Sequence, residues 1–219
     1  MTLPSLRDLS EVEVKIPGPE HLVGRLGVIP GARAAMLLCH PHPLYGGSLD
    51  NKIMVLAARQ MHAMGISWLR FNFRGVGGST GTFGGKDAEI ADVRAALNYL
   101  RQAVPGAALG LLGYSFGSYV GSWALLDEPD VQAYVGVAPP VSHFDLSPLE
   151  RLTIPKLLIL GTNDTFASIP DFERFVGRLQ QVETVVLPGI DHYFMGAGRA
   201  WYEPIAPFLL HHLLGQPQG

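Results

Sequence analysis

Residues 107–126 read AALGLLGYSFGSYVGSWALL, and the fold class turns on this stretch. Ala107–Leu112 is a short continuous apolar run, the pattern of a strand buried on both faces in a parallel sheet. Phe116 to Leu126 has a helical pattern, with small Gly117 and Gly121 where a helix can approach a neighbour closely. Between the two lies GYSFG, Gly113 to Gly117, which fits G-x-S-x-G, a sharp turn that exposes a serine hydroxyl between a strand and a helix. In such a turn the serine is held in a strained backbone conformation. The residues two positions either side must be small, because a Cβ there collides as strand and helix converge. The helix adds free N–H groups and the positive end of its dipole, both suited to an anion.

Working outward, Ala34–Cys39, Ile66–Phe73, Val131–Ala138, Lys156–Leu160 and Thr184–Leu187 are further apolar runs, read as strands of the same buried kind. Val12–Ile16 alternates apolar and charged residues, and with a second strand from Leu22 to Ile29 it forms an antiparallel hairpin across Pro17, Gly18 and Pro19. Helical faces recur between the runs. Ile53, Ala57, Met61 and Met64 share one, opened by Asp50 or Asn51 and stopped at Gly65. Ile90, Val93, Leu97 and Leu100 share a second, with Asp87 and Glu89 in its first turn, and Phe172, Phe175, Val176 and Leu179 a third. The last helix, near Trp201 to Leu214, is interrupted by Pro204 and Pro207, which leaves its start open. Strands alternating with helices give an α/β fold with helices on both faces of a mainly parallel sheet. Ligands of such sheets sit at the carboxyl ends of the strands, so the loops there are where chemistry is sought.

Composition narrows the field. The 219 residues are 47% hydrophobic and only 16% charged, the reverse of a disordered chain, and fit one domain over residues 1–219 with a frayed tail at 215–219. A net charge of −3 argues against a nucleic-acid surface. A single cysteine, Cys39, forms no internal disulfide and fits a reducing compartment. The N-terminal MTLPSLRDLSEVEV lacks the apolar stretch of a signal peptide, and no apolar run approaches the roughly 18 residues of a membrane span. The expectation is a soluble, cytoplasmic protein.

GYSFG alone is weak evidence, since Gly77-Gly78-Ser79-Thr80-Gly81 also fits the pattern. Context separates them. Ser115 follows a strand and opens a helix, whereas Ser79 lies several residues beyond its strand in a glycine-rich loop. Ser115 is therefore the expected nucleophile. A serine hydroxyl needs a base, and His192 in PGIDHYF, after the last strand, is the best placed of eight histidines, with His143 a weaker rival. His21, His62, His211 and His212 read as surface or packed residues. The base needs a carboxylate to fix its tautomer and stabilise its cation. Asp164 in LGTNDTF is favoured over Asp145 and Asp191, because Ser115, Asp164 and His192 then fall in the chain order such triads take in this kind of fold. An oxyanion hole needs the N–H of Phe116 and one from the loop CHPHPLYGGS, Cys39 to Ser48. Pro41 and Pro43 have no N–H, which leaves chiefly His42 and Leu44, with His42 favoured. His40 and His42 as a metal pair is disfavoured, because alternate residues of an extended segment point to opposite sides. Two phosphate-loop readings, RGVGGST and GTFGGKD, fail at Thr80 and Asp87 respectively, where the motifs need other residues.

Taken in order, HPHPLYGGS, FNFRGVGGSTG, GYSFGS, GTND and GIDHYF resemble the α/β-hydrolase superfamily over nearly the whole chain. More narrowly they resemble small bacterial serine hydrolases without a lid domain, similar to dienelactone-hydrolase-like and carboxylesterase members. The resemblance implies an eight-stranded, mostly parallel sheet with an antiparallel second strand, a Ser-Asp/Glu-His triad and no cofactor. Two departures stand out. Dienelactone hydrolases proper use cysteine where this chain has Ser115, and many relatives carry glycine where it has Pro41.

Lids in this superfamily are usually inserted after the sixth strand. Here that interval, Pro139 to Pro155, has the length of an ordinary loop. The expectation is an open, shallow site, with Leu44, Tyr45, Phe144, Phe166, Tyr193 and Phe194 near its mouth. The expected activity is hydrolysis of small to medium carboxylic esters, with small-molecule substrates, no metal and no membrane partner. Thioester or peptide cleavage by the same triad, and a non-catalytic scaffold, are the alternatives. Low charge leaves few gatekeepers on an exposed sheet edge, which suggests association through such an edge.

Overall fold

A computed structural model describes residues 9–215. Its strands are β1 (Glu11–Ile16), β2 (Leu22–Gly27), β3 (Ala34–Cys39), β4 (Ser67–Phe71), β5 (Ala108–Tyr114), β6 (Val131–Val137), β7 (Lys156–Asn163) and β8 (Val182–Asp191). Its helices are α1 (Lys52–Ala63), α2 (Asp87–Ala103), α3 (Phe116–Ala124), α4 (Pro148–Arg151), α5 (Ile169–Val176) and α6 (Ile205–His212). The strands form one eight-stranded sheet in the order β1-β2-β4-β3-β5-β6-β7-β8. β2 runs antiparallel to both neighbours, and every other pair is parallel.

The apolar runs explain the layers. Every residue of β3 is buried, and its side chains alternate between two cores. Ala35, Leu37 and Cys39 join the core under α2, α3 and α5, while Ala34, Met36 and Leu38 join the one under α1 and α6. The expected helical faces are the buried ones: Ile53, Ala57 and Met61 in α1, and Ile90, Val93, Leu97 and Leu100 in α2. Asn51, rather than Asp50, caps α1, its side chain accepting from the Ile53 N–H at 2.9 Å. α6 begins only at Ile205, which puts Pro207 in the first turn, where a missing N–H costs nothing.

The reading of Thr184–Leu187 as buried on both faces is wrong. β8 is the sheet margin, and of those four residues only Leu187 is buried. An edge strand has one neighbour and incomplete cover, and four apolar residues in a row do not reveal that. The second strand stops at Gly27 rather than Ile29, where the Trp68 indole lies so close that a Cβ on Gly27 would sit 2.2 Å from it. The fourth ends at Phe71, and beyond it the Phe73 N–H donates to the His40 imidazole at 3.1 Å instead of to a strand.

The interval from Pro139 to Pro155 holds only the one-turn helix α4, and among the described residues no lid domain covers the sheet. Gly215 is the one residue of the expected frayed tail that is described, and the rest lies outside the described residues. No helix among them is long and apolar enough to cross a membrane.

One polar cluster fixes the outer sheet. The buried Arg70 guanidinium donates to both carboxylate oxygens of Glu11, at 2.8 and 2.5 Å, and to the Leu49 carbonyl and Asp50 carboxylate, both at 2.8 Å. The Trp68 indole N–H also donates to Glu11, at 2.7 Å. β1 is thereby tied to β4 and to the loop before α1. Removing Glu11 leaves the buried guanidinium with only the exposed Asp50 as counter-charge and the Trp68 N–H without its acceptor. Glu11→Ala is expected to lower unfolding free energy by about 3 kcal/mol, read from urea denaturation. A loss of less than about 0.5 kcal/mol, the size of a surface effect, would contradict this.

Candidate active site

Ser115 sits where β5 turns into α3, at φ 52° and ψ −116°, the left-handed side that non-glycine residues rarely occupy. Strain of this kind costs about 1–3 kcal/mol and persists only where surroundings enforce it. Here the backbone does so. The Ser115 N–H donates to the Val137 carbonyl at 2.9 Å, and its own carbonyl accepts from Ser118 and Tyr119 at the start of α3. A Cβ on Gly113 would lie 2.5 Å from Ser118 Cα, and one on Gly117 would lie 2.2 Å from the Cys39 carbonyl oxygen. The small residues of GYSFG are thus required by the close approach of α3 to the ends of β5 and β3.

The hydroxyl so presented meets His192. Ser115 Oγ lies 2.9 Å from His192 Nε2, and His192 Nδ1 lies 2.7 Å from Asp164 Oδ2. A carboxylate only accepts, so Nδ1 carries the proton and Nε2 is free to accept from the hydroxyl. All three residues are buried. Asp164 Oδ1 accepts from the Phe166 N–H at 2.7 Å, which fixes the carboxylate, and the Phe166 ring lies 4.5 Å from the imidazole. The rivals are occupied elsewhere. Asp191 accepts from the N–H groups of Tyr193 and Met195 and builds its own turn. Asp145 accepts from Ser147 N–H before α4. His143 is exposed, with its Nδ1 3.2 Å from the Phe166 carbonyl and its ring tilted against Phe166 at 5.5 Å.

On the other side of Ser115, Phe116 is the first residue of α3, so its N–H has no helical acceptor. The loop after β3 brings His42 against it, ring to ring at 4.8 Å. The Leu44 N–H is taken by His42 Nδ1 at 3.2 Å, which favours His42 over Leu44 as the second backbone donor. His40 is wholly buried and uses both ring nitrogens within the fold: Nδ1–H donates to the Pro41 carbonyl at 2.6 Å and Nε2 accepts from Phe73. Those bonds leave it no lone pair for a metal. Burial pulls its pKa from 6.5 to about 4, and burial also lowers that of His42. The second G-x-S-x-G serine is structural, since Ser79 Oγ accepts from Val23 N–H and donates to the Asn72 carbonyl, both at 2.9 Å. In the neighbouring glycine-rich loop the Thr80 N–H donates to the His21 carbonyl and the Gly84 N–H to Glu89.

Residues 35–151 match the family model described as the alpha/beta hydrolase fold. A curated but uncharacterized protein of Rickettsia prowazekii is 33% identical, with 90% of this chain and 88% of the relative covered. The chain belongs to the α/β hydrolase family. Among solved structures, a serine hydrolase homologue from Coxiella burnetii is 30% identical with a TM-score of 0.83, covering 90% of this chain and 97% of its own. A protein from Xanthomonas campestris, described as an a/b serine hydrolase without lid, is also 30% identical, with a TM-score of 0.77 and coverage of 89% and 90%.

Within this hydrolase fold the mouth of the site differs in part from expectation. Leu44, Tyr45, Tyr193 and Met195 are exposed, with the Tyr45 ring against His42 and the Tyr193 ring against His192. Phe144 and Phe166 are partly buried beside the site. Phe194 is not at the mouth: it is core, packed edge-on against Tyr114 and Trp201. Two contributors escaped the sequence reading altogether. Phe83 packs its ring 4.8 Å from His42 and 5.7 Å from Phe116, and the Tyr114 hydroxyl reaches the His192 loop. Neither has a local signal, because each acts on residues far along the chain.

His40 yields a pH dependence. A base whose pKa falls on folding binds its proton more readily when unfolded, so its stabilisation is complete above pH 6.5 and lost as pH falls toward 4. The loss across that window should be about 3 kcal/mol, measured as wild-type urea stability minus that of His40→Gln at each pH. Parallel pH profiles for the two proteins would contradict it.

Proposed function

We propose that this protein is a serine hydrolase that cleaves small to medium carboxylic esters through an acyl-enzyme. The observation that carries the reading is the unbroken hydrogen-bonded line from Ser115 Oγ through the His192 ring to Asp164. Nε2 of His192 takes the Ser115 proton as Oγ attacks the ester carbonyl carbon. The electron pair of the C=O bond moves to oxygen, where the N–H groups of Phe116 and His42 meet it. His192 then gives its proton to the leaving alkoxide, the C–O bond breaks and the acyl group remains on Ser115. Water, deprotonated by His192, attacks the acyl carbon, and the proton returns to Ser115 as the acid departs. Asp164 holds the ring orientation and balances its positive charge throughout.

The absence of a lid bears on substrate size. With only α4 between β6 and β7, an extended acyl chain has no enclosing cradle, while Leu44, Tyr45 and Tyr193 offer apolar contact for a short one. The two solved neighbours, one described as a serine hydrolase homologue and one as an a/b serine hydrolase without lid, support the same chemistry. Thioester or amide cleavage would use the same groups and is separated from ester cleavage by substrate assays. A scaffold without activity is disfavoured, because the three groups already stand within hydrogen-bonding distance in the order the chemistry needs.

Hydrolysis of p-nitrophenyl esters from acetate to palmitate should be fastest at the short end and fall with chain length. Ser115→Ala should remove it, and Asp164→Asn should reduce turnover by up to about 10⁴-fold. Activity that rises toward palmitate would refute the open-site reading. Full turnover by Ser115→Ala would refute the mechanism.

A further inference from the structure

Tyr114 is the last residue of β5 and the immediate neighbour of Ser115. Its side chain turns away from the serine into the core under α1 and α6 and is buried there. At the end of that side chain the hydroxyl donates to the main-chain carbonyl of His192 at 2.9 Å. The two residues are 78 positions apart, and β6 and β7 lie between their strands. The Tyr114 ring also lies 5.8 Å from the His192 ring and packs edge-on to Phe194, two residues further along the same loop.

This contact closes a ring of interactions. From Ser115 Oγ it runs to His192 Nε2, through the imidazole to the His192 backbone, then through the Tyr114 hydroxyl and side chain back to the backbone beside Ser115. Asp164 fixes the proton on Nδ1 and the tilt of the imidazole, but it holds only the outer end of the side chain. The base of that side chain leaves the end of β8, an edge strand whose pairing with β7 already shifts register between Gly161 and Asn163. An edge strand with irregular pairing is a poor ruler for a group that must meet its partner within a few tenths of an ångström. We propose that Tyr114 is a positioning residue whose hydroxyl sets the distance between His192 and Ser115 directly from the strand that carries the serine. The inference rests on the reading of Ser115 and His192 as the reacting pair.

The chemistry of the group suits the role. Burial, followed by the charge of nearby Asp164, pushes the phenol above its ordinary pKa, so it remains a donor through the working pH range. Phenylalanine keeps the ring, its core contacts and its edge contact with Phe194, and removes only the donor. The His192 carbonyl is then buried without its partner and must move to find another.

The test is Tyr114→Phe beside the wild type and Ser115→Ala. Turnover of p-nitrophenyl acetate, counted per phosphonate-titrated serine, should fall about 10- to 100-fold with KM within about twofold of wild type. A crystal structure of the variant should show His192 Nε2 beyond 3.5 Å from Ser115 Oγ. A purely structural tyrosine would lower the melting temperature and the titrated fraction and leave turnover per titrated site unchanged. That result, or an unchanged Nε2 to Oγ distance, overturns the proposal. Should the wild type fail to react with a phosphonate, the serine-hydrolase reading falls. The crystallographic distance still decides whether Tyr114 places His192.

Discussion

The site depends on how closely two pieces of backbone can approach. α3 points its first turn at the ends of β5 and β3, and a methyl group on Gly117 would overlap the carbonyl of Cys39. With that approach allowed, Ser115 is forced into φ 52°, its hydroxyl leaves the sheet, and the Phe116 N–H, at the first position of α3, has no helical acceptor. The strain is held by main-chain hydrogen bonds to Val137, Ser118 and Tyr119. Those bonds involve no side chain of Ser115, so the hydroxyl is left for His192.

The other groups are brought to this point by strand order. β5 lies at the centre of the sheet with β3 on one side and β6, β7 and β8 on the other. The loop after β3 therefore reaches Ser115 from one flank, and the loops after β7 and β8 bring Asp164 and His192 from the other. Each loop is stiffened by its own means. Pro41, Pro43 and the internally bonded His40 hold the first, Asp164 itself folds the second through the Phe166 N–H, and Asp191 pins the third through Tyr193 and Met195. The carboxylate that a sequence reading could mistake for the partner of His192 is thus the one that shapes its loop.

Much of this was legible in the sequence, for physical reasons that also mark the boundary. β3 and β5 lie at the middle of the sheet, and their burial on both faces is written as continuous apolar runs. The serine, aspartate and histidine could be named because each follows a strand, and strand ends share one side of a parallel sheet. Thr184–Leu187 misled, because whether an apolar run sits inside or at the margin depends on what pairs beyond it. Phe194 misled for a similar reason: closeness in sequence to His192 suggested the mouth, yet the turn after β8 carries its ring to Trp201 in the core. The Arg70–Glu11 cluster and the Tyr114 hydroxyl were invisible because their partners lie 59 and 78 residues away and carry no local pattern.

The central proposal is that Ser115 is the activated hydroxyl. The most direct measurement is stoichiometric reaction with a fluorophosphonate, followed by mass mapping of the modified peptide. One equivalent bound, all of it on the peptide containing Gly113–Gly117, is the result expected from a hydroxyl 2.9 Å from an oriented imidazole. An adduct on Ser79, or a native protein that takes up no label, would contradict it.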